Sequence, residues 1–218
     1  MQKEFQKRLL SSIIIIPFSL FFIIKGSAFF ICFLLALFFV SLLEWLKIVK
    51  KLELKLLGLF FLICSFYSTF ELRDKDLNSF LLILIICVST DLGGYFFGKF
   101  FKGPKLIKIS PNKTYSGMFG SFLLAILISY LFLKNYDVDL DIIFNNKSNL
   151  EFVVTVIIIS SISQIGDLII SYFKRSSNIK NTGNIFPGHG GLLDRIDGMI
   201  FVFPFVYLVT LVSIIIKL

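Results

Sequence analysis

Charged residues of both signs are concentrated between residues 171 and 197, in a polar segment that separates two long apolar runs. This segment also contains the glycine-rich sequence PGHGG at 187–191, whose histidine is the single histidine of the chain. Its ionisable residues are Lys174, Arg175, Lys180, His189, Asp194, Arg195 and Asp197. Ionisable groups between membrane-length apolar runs are unfavourable unless they are paired or bind a ligand, so this segment is the first candidate for a functional site.

Two acidic residues lie inside apolar runs that are long enough to form membrane helices. These are Asp91, in the run 79–98, and Asp167, in the run 152–173. A spacing of three and four residues predicts that one helix face carries Ser160, Gln164, Asp167, Ser171 and Lys174. A stripe of interhelical hydrogen bonds would explain the Ser and Gln residues, whereas the acid and the lysine favour a site that faces the bundle interior. Asp91 precedes the G-x-x-x-G step Gly94–Gly98, which permits close helix packing, and we expect it to approach the same interior site.

Carboxylates beside basic side chains indicate phosphate chemistry. The three cysteines, Cys32, Cys64 and Cys87, lie far apart in apolar runs, which fits buried thiols rather than a zinc site or a disulfide. Carboxylates therefore favour a hard cation such as Mg²⁺. A helix is predicted to start near Gly117, with Ser110 or Asn112 as its cap, and the five lysines that precede it, Lys113 among them, also suit phosphate. A Walker A sequence is absent, so the residues alone predict a Mg²⁺-dependent enzyme that acts on a phosphorylated lipid, with a nucleotide as a further candidate substrate.

The elements that must position these residues are membrane helices. The composition is 56% hydrophobic and only 17% charged, and the mean hydropathy is +0.89, which excludes an ordinary soluble domain. Windows that approach the ~20 apolar residues of a membrane span lie at 9–24, 27–43, 56–70, 79–98, 117–133, 152–173 and 198–216. We expect an all-α integral membrane protein, a polytopic bundle of about seven transmembrane helices. Residues 1–78 would supply N-terminal helices and residues 79–218 the catalytic part of one compact bundle.

The distribution of basic residues predicts the orientation of this bundle. With the N-terminus inside, sixteen of the 22 Lys and Arg residues fall in inside segments and six in outside segments. Because cytoplasmic loops carry the excess of Lys and Arg, the segments 99–116 and 174–197 are predicted to be cytoplasmic. The net charge of +8 then lies near anionic headgroups. Nucleic acid is not an expected partner, since the charges lie at bilayer edges without an aromatic-lined soluble face.

The polar segment resembles the characteristic pattern of one enzyme family. The pattern consists of Ser171, Lys174, Arg175, Lys180, Gly183, the sequence FPGHGGL at 186–192 and the sequence DRID at 194–197. It is long and ungapped, and it is similar to that of the phosphatidate cytidylyltransferases, or CDP-diacylglycerol synthases. Segments 91–98, 110–114 and 164–168 are also similar, so the resemblance covers about residues 88–200.

The resemblance implies an activity and roles for individual residues. Such enzymes join CTP and phosphatidic acid into CDP-diacylglycerol and release pyrophosphate, here at the cytoplasmic side of a bacterial inner membrane. By resemblance, Asp167 and Asp194 would hold Mg²⁺, with K⁺ as a candidate second cation, and would act with Lys174 and Arg195 in catalysis. The residues implied in substrate or phosphate binding are Asp91, Ser110, Lys113, Ser171, Arg175, Lys180, His189 and Asp197. CTP, phosphatidic acid and membrane lipids are the expected partners, and a homodimer is compatible with the pattern.

The chain departs from the family pattern at three positions. Asn181, Ser116 and Ile170 stand where the family usually has acids. An alternative is therefore a non-catalytic relative, a transporter, or another CTP-dependent lipid enzyme on the same scaffold. A CDP-alcohol phosphotransferase is disfavoured because its D-G-x-x-A-R…G-x-x-x-D-x-x-x-D pattern is absent.

Overall fold

Apolar helices form almost all of the described chain. The computed structural model describes residues 15–107, 110–136, 148–183, 185 and 190–217. Its elements in chain order are α1 (Ile15–Lys25), α2 (Ser27–Ile48), α3 (Leu52–Lys75), α4 (Leu77–Phe101), β1 (Lys105–Ile107), β2 (Ser110–Thr114), α5 (Tyr115–Asn135), α6 (Asn149–Ser176), α7 (Leu193–Ile196) and α8 (Met199–Lys217). This confirms the predicted all-α polytopic membrane fold.

Five of the described helices are long and apolar enough to cross a membrane, namely α2 to α6. The predicted windows 9–24 and 198–216 correspond to shorter apolar helices, of which the first is described only from Ile15. Several helices extend beyond their apolar windows because polar residues form their ends. In α6, Ser148 and Glu151 form a capping box at the start, and Lys174 and Arg175 lie in the last turn.

An arginine joins the first helix to the third. Gly26 ends α1 with a φ of 66°, in the left-handed region that favours glycine. Arg73, near the end of α3, donates from Nε to the carbonyl of Ile23 at 2.9 Å and from Nη2 to the carbonyl of Ile24 at 3.2 Å. These bonds satisfy carbonyl groups that the end of a helix leaves unpaired.

Helices α4 and α5 pack with their backbones in close approach. A Cβ atom at Gly93 would lie 2.5 Å from the carbonyl oxygen of Gly120, and one at Gly117 would lie 2.8 Å from that of Gly94. Small residues permit such an approach between membrane helices. The predicted close packing around the G-x-x-x-G step is therefore confirmed. The β1–β2 hairpin joins these two helices, and the sequence did not predict it.

Two apolar clusters fill the bundle. The larger one includes Phe30, Phe80, Ile83, Val156 and Val202. The smaller one contains Trp45, Ile48, Leu62, Ile170 and Leu193. The smaller cluster lies at the end of the bundle where α2, α4 and α6 finish and where α3, α5 and α8 begin. The described residues of the basic segments 99–116 and 174–197 lie at this same end, so the fold brings basic side chains and polar helix ends together.

Candidate active site

A polar cavity of about 430 Å³ opens at the lysine-rich end of the bundle. Helices α4, α5 and α6 and the β1–β2 hairpin contribute to its wall, together with Asn181, Asp194, Arg195 and Asp197. Its charged residues are Asp91, Lys113, Asp167, Lys174, Asp194, Arg195 and Asp197. Asp91 and Asp167, which were expected to approach one interior site, both line this cavity.

The polar face of α6 has two parts with different roles. In its first part, Ser160 accepts a hydrogen bond of 2.8 Å from Thr90 of α4. This part therefore links two helices, as the structural interpretation of the stripe expected. In its second part, Asp167 pairs through Oδ2 with Lys113 Nζ at 2.5 Å and accepts a bond of 3.3 Å from the Ser171 hydroxyl. Lys113 comes from β2, so the hairpin supplies the cation that neutralises this acid.

Asp194 is held by three donors in a buried position. Its Oδ1 accepts from Lys174 Nζ at 2.7 Å, and the two side chains are 9% and 10% exposed. Its Oδ2 accepts from the backbone N–H groups of Thr182, at 2.9 Å, and Gly191, at 3.1 Å. Charge-assisted bonds of this kind are among the stronger polar contacts in proteins. Asp194 thus fixes the fold of the polar segment at the cavity wall.

Asp197 brings a further carboxylate to the cavity. It lies between α7 and α8, is 8% exposed, and accepts a hydrogen bond of 3.0 Å from the Gly198 N–H. Burial, together with the negative charges of Asp167 and Asp91, raises the pKa of Asp197 well above its usual range. Carboxylates that crowd in this way suit a bound cation, because a positive charge relieves their repulsion.

The side chains that line the cavity limit the kind of metal ion that it could bind. In the part of the chain that the structure describes, no group of three or more His, Cys, Asp or Glu side chains is placed to hold a metal ion. Mg²⁺, however, is commonly bound by one or two carboxylates together with substrate phosphates. The oxygen-rich cavity fits that mode of binding.

The structure separates the other predicted site residues into groups. Ser171 is buried and contacts Asp167, whereas Arg175 and Lys180 are exposed and lie outside the cavity lining. Arg175 donates instead to the carbonyl of Ile179 at 3.2 Å. The side chain of Ser110 and the whole of His189 lie outside the described residues, so their predicted roles stay predictions.

The three departures from the family pattern fall in three different environments. Asn181 lines the cavity. The Ser116 hydroxyl donates to the carbonyl of Lys102, at the base of the hairpin. Ile170 is 3% exposed and packs in the smaller apolar cluster. Only the replacement at Asn181 therefore changes the charge of the described cavity wall.

Glu44 of α2 is a site residue that the sequence analysis missed. It is 2% exposed and accepts hydrogen bonds from the polar segment. The apolar window 27–43 ends immediately before it, so Glu44 had the pattern of a solvated helix end. The structure continues α2 to Ile48, which places this acid inside the protein.

Together, the fold and the cavity define a polytopic membrane protein with a two-signed polar site at one end of its helix bundle. A sequence model described as the cytidylyltransferase family matches residues 51–213. The chain belongs to this family, and the resemblance carried by residues 171–197 is confirmed.

Curated relatives agree with this assignment. The chain is 35% identical to the phosphatidate cytidylyltransferase of Rickettsia felis over 210 residues, which cover 94% of this chain and 91% of that protein. It is 36% identical to the enzyme of the same name from Rickettsia conorii over 199 residues, covering 88% of this chain and 85% of the relative. The corresponding Bacillus subtilis protein is 37% identical over 146 residues, covering 65% and 52%.

Proposed function

We propose that this protein is a phosphatidate cytidylyltransferase, which transfers CMP from CTP to phosphatidic acid. The observation that carries the proposal is the cavity, where three carboxylates lie among three basic side chains: Asp167, Asp194 and Asp197 among Lys113, Lys174 and Arg195. The similarity to the two rickettsial enzymes extends over most of both chains. A cavity at the end of a membrane bundle suits a reaction between a lipid from the bilayer and a nucleotide from the aqueous phase.

The reaction needs no nucleophile from the protein. A phosphate oxygen of phosphatidic acid attacks the α-phosphorus of CTP and forms a new P–O bond. The bond between the α-phosphorus and the oxygen that bridges to the β-phosphorus breaks, and pyrophosphate leaves with the electron pair. A phosphate monoester has a second pKa of about 6, so the attacking oxygen is largely deprotonated near neutral pH. Both reactants are anions, and the main task of the protein is to hold them together.

The basic residues of the cavity would perform this task. Lys113 and Arg195 lie at the wall and would bind the phosphates of CTP and of the lipid. Lys174 is buried against Asp194, so we assign it to the support of the polar segment as well as to the local positive charge. This division follows from burial, since a lysine bonded to a buried acid is less able to reach a substrate.

We further propose that Mg²⁺ acts in this site. Asp167 and Asp197, which both line the cavity, are the carboxylates best placed to hold it. Asp194, the other expected ligand, is bonded to Lys174 and to backbone N–H groups in a buried position, whereas the pair of Asp167 with Lys113 is partly exposed. When bound, the ion would neutralise charge on the phosphates during nucleotidyl transfer. The K⁺ that the family resemblance implied stays a prediction.

The charge distribution and the proposed substrate both support a cytoplasmic location for the site. CTP is a polyanion of the cytosol that does not cross a bilayer. The basic segments 99–116 and 174–197 border the cavity, and the excess of Lys and Arg marks the cytoplasmic side. We therefore propose that the cavity opens to the cytoplasm from the inner membrane of a bacterium.

A direct assay tests the proposal. Purified protein is mixed with Mg²⁺, with CTP labelled at its α-phosphate, and with phosphatidic acid in detergent micelles, and the lipid phase is analysed for labelled CDP-diacylglycerol. We expect product from the wild type and a loss of at least 100-fold in Asp167→Asn and Asp194→Asn. Asp74→Asn is the matched control, because Asp74 is exposed at the opposite end of the bundle.

The outcomes of this assay are distinct. Full activity in both active-site variants would overturn the assignment of these acids. Absence of product from the wild type, under conditions in which an established synthase is active, would favour the non-catalytic alternative.

A further inference from the structure

Glu44 connects the N-terminal part of the bundle to the polar segment. Its Oε2 accepts from the Thr182 hydroxyl at 2.7 Å and from the Leu193 N–H at 2.8 Å. Its Oε1 accepts from the Leu192 N–H at 2.9 Å. All three partners are donors. A carboxylate can accept from all of them through its two oxygens, whereas the NH₂ group of an amide would face a donor. Glu44 therefore binds two places in the polar segment that are ten residues apart.

Asp194 binds the same segment from the cavity side. The Thr182 N–H donates to Asp194, while the Thr182 hydroxyl donates to Glu44. Gly191 donates to Asp194, and the next N–H along the chain, that of Leu192, donates to Glu44. The backbone at 182 and 191–193 is thus held between two carboxylates, of which only Asp194 lines the described cavity. A shift of Glu44 would move the backbone that positions Asp194.

The segment lies tightly against Glu44. A Cβ atom at Gly183 would lie 2.5 Å from Glu44 Oε1, and one at Gly191 would lie 2.5 Å from Oε2. Both glycines belong to the pattern shared with the family. Their lack of a side chain allows the backbone to approach the buried acid, so the geometry at Glu44 explains why these positions suit glycine.

Neighbouring contacts fix the end of α2 that carries Glu44. Trp45 donates from its indole nitrogen to the carbonyl of Leu54 at 3.3 Å and packs edge-on against Phe173 of α6, with ring centroids 5.0 Å apart. The hydroxyl of Ser177 donates to the carbonyl of Ile48. A fixed α2 gives Glu44 a defined position relative to α6, which carries Asp167 and Lys174.

We infer that Glu44 is a positioning residue for nucleotidyl transfer, acting on Asp194 through Thr182 and the backbone at 191–193. The inference rests on the proposed function for its catalytic consequence. It also places α2, which precedes the family match at 51–213, within the catalytic unit. The N-terminal helices thus contribute to the site as well as to the membrane anchor.

Three variants test this inference in the full-length protein. Glu44→Gln replaces one acceptor oxygen by an NH₂ group, so in either orientation of the amide a donor faces a donor. Thr182→Val removes the hydroxyl with little change of shape, and Thr182→Ser keeps the hydroxyl. We expect kcat to fall about 10- to 100-fold in Glu44→Gln and in Thr182→Val, as is typical when groups that orient active-site ligands are removed. Thr182→Ser should keep kcat within about threefold of the wild type by retaining the donor.

Two readouts separate positioning from general stability. The KM for phosphatidic acid should stay within about twofold, because Glu44 does not line the cavity. Hydrogen–deuterium exchange should accelerate in peptides that contain the amides of residues 191–193, and it should stay unchanged in α4 and α5. Glu53→Gln, at an exposed site in the first turn of α3, is the matched control and should match the wild type in both readouts.

The possible results test the positioning role of Glu44 and the proposed function separately. Wild-type kcat in Glu44→Gln and Thr182→Val, or faster exchange throughout the helices, would overturn the positioning role. A wild-type protein that forms no CDP-diacylglycerol would overturn the proposed function. In that case the local exchange rates would still decide whether Glu44 holds the segment.

Discussion

The two ion pairs of the cavity should differ sharply in their effect on stability. Lys174→Met removes the partner of Asp194 where both side chains are about one-tenth exposed. Lys113→Met removes the partner of Asp167 where the side chains are 24% and 30% exposed. Methionine has a similar length to lysine and can stay among apolar neighbours, so each change removes mainly the charge.

The expected magnitudes follow from burial. Breaking a buried ion pair by removing one partner destabilises a protein by about 3–5 kcal/mol, because the remaining charge has no compensating partner. Two backbone N–H groups still bind Asp194 in Lys174→Met. The expected loss in the free energy of unfolding is therefore near the lower end of this range. A partly exposed pair is worth roughly 1 kcal/mol or less, which is the expectation for Lys113→Met. In a chain of this size 1 kcal/mol shifts the Tm by roughly 2–4 °C. The expected loss of Tm is therefore about 6–12 °C for Lys174→Met and about 2–4 °C for Lys113→Met.

Thermal unfolding in detergent measures this difference, with tryptophan emission as the signal. Trp45 is the single tryptophan of the chain and packs against Phe173, one residue before Lys174. Lys180→Met is the control, since Lys180 lies in the same segment but is exposed, and its Tm should change by less than about 2 °C. Equal losses of Tm in Lys174→Met and Lys113→Met would refute the argument that burial decides the contribution of each pair.

Two further predictions concern the helix pair and the changed position in the cavity. Gly93→Ala should destabilise the protein by about 1–3 kcal/mol, because the new methyl would meet the α5 backbone at Gly120. Gly94→Ala should cost less, since its nearest contact is the Ser121 hydroxyl at 3.0 Å, and a smaller Tm loss in Gly93→Ala than in Gly94→Ala would contradict this packing. Asn181→Asp restores a carboxylate to the cavity wall and should lower the Mg²⁺ concentration for half-maximal activity about two- to tenfold. Titration of activity with Mg²⁺ measures this change, and an unaltered dependence would show that position 181 does not reach the metal.

The sequence allowed much of this arrangement to be predicted, because membrane helices have a strong signal. The apolar runs predicted the helices, and the three-and-four spacing around Asp167 predicted the polar face that enters the cavity. The hairpin at 105–114 was not predicted, since two short strands in a lysine-rich link have no clear period. Glu44 was missed for a different reason: its burial depends on contacts with residues 182 and 191–193, far along the chain, which no local pattern reports.

The ion pairs Lys113–Asp167 and Lys174–Asp194 also differ in whether they would have to open when the proposed substrates bind. Lys113 and Asp167 are each a group that the proposed reaction needs, the lysine for a phosphate and the acid for a metal ion. Their pair must therefore open when both substrates enter, and its partial exposure means that opening it costs little. Lys174 and Asp194 are buried, Asp194 also accepts from backbone N–H groups, and Glu44 binds the same segment from the other side. The exchangeable pair therefore lies on the hairpin side of the cavity, and the fixed pair lies on the side that α2 supports. This asymmetry would allow the cavity to keep its shape through the fixed pair while the exchangeable pair opens to bind the proposed substrates.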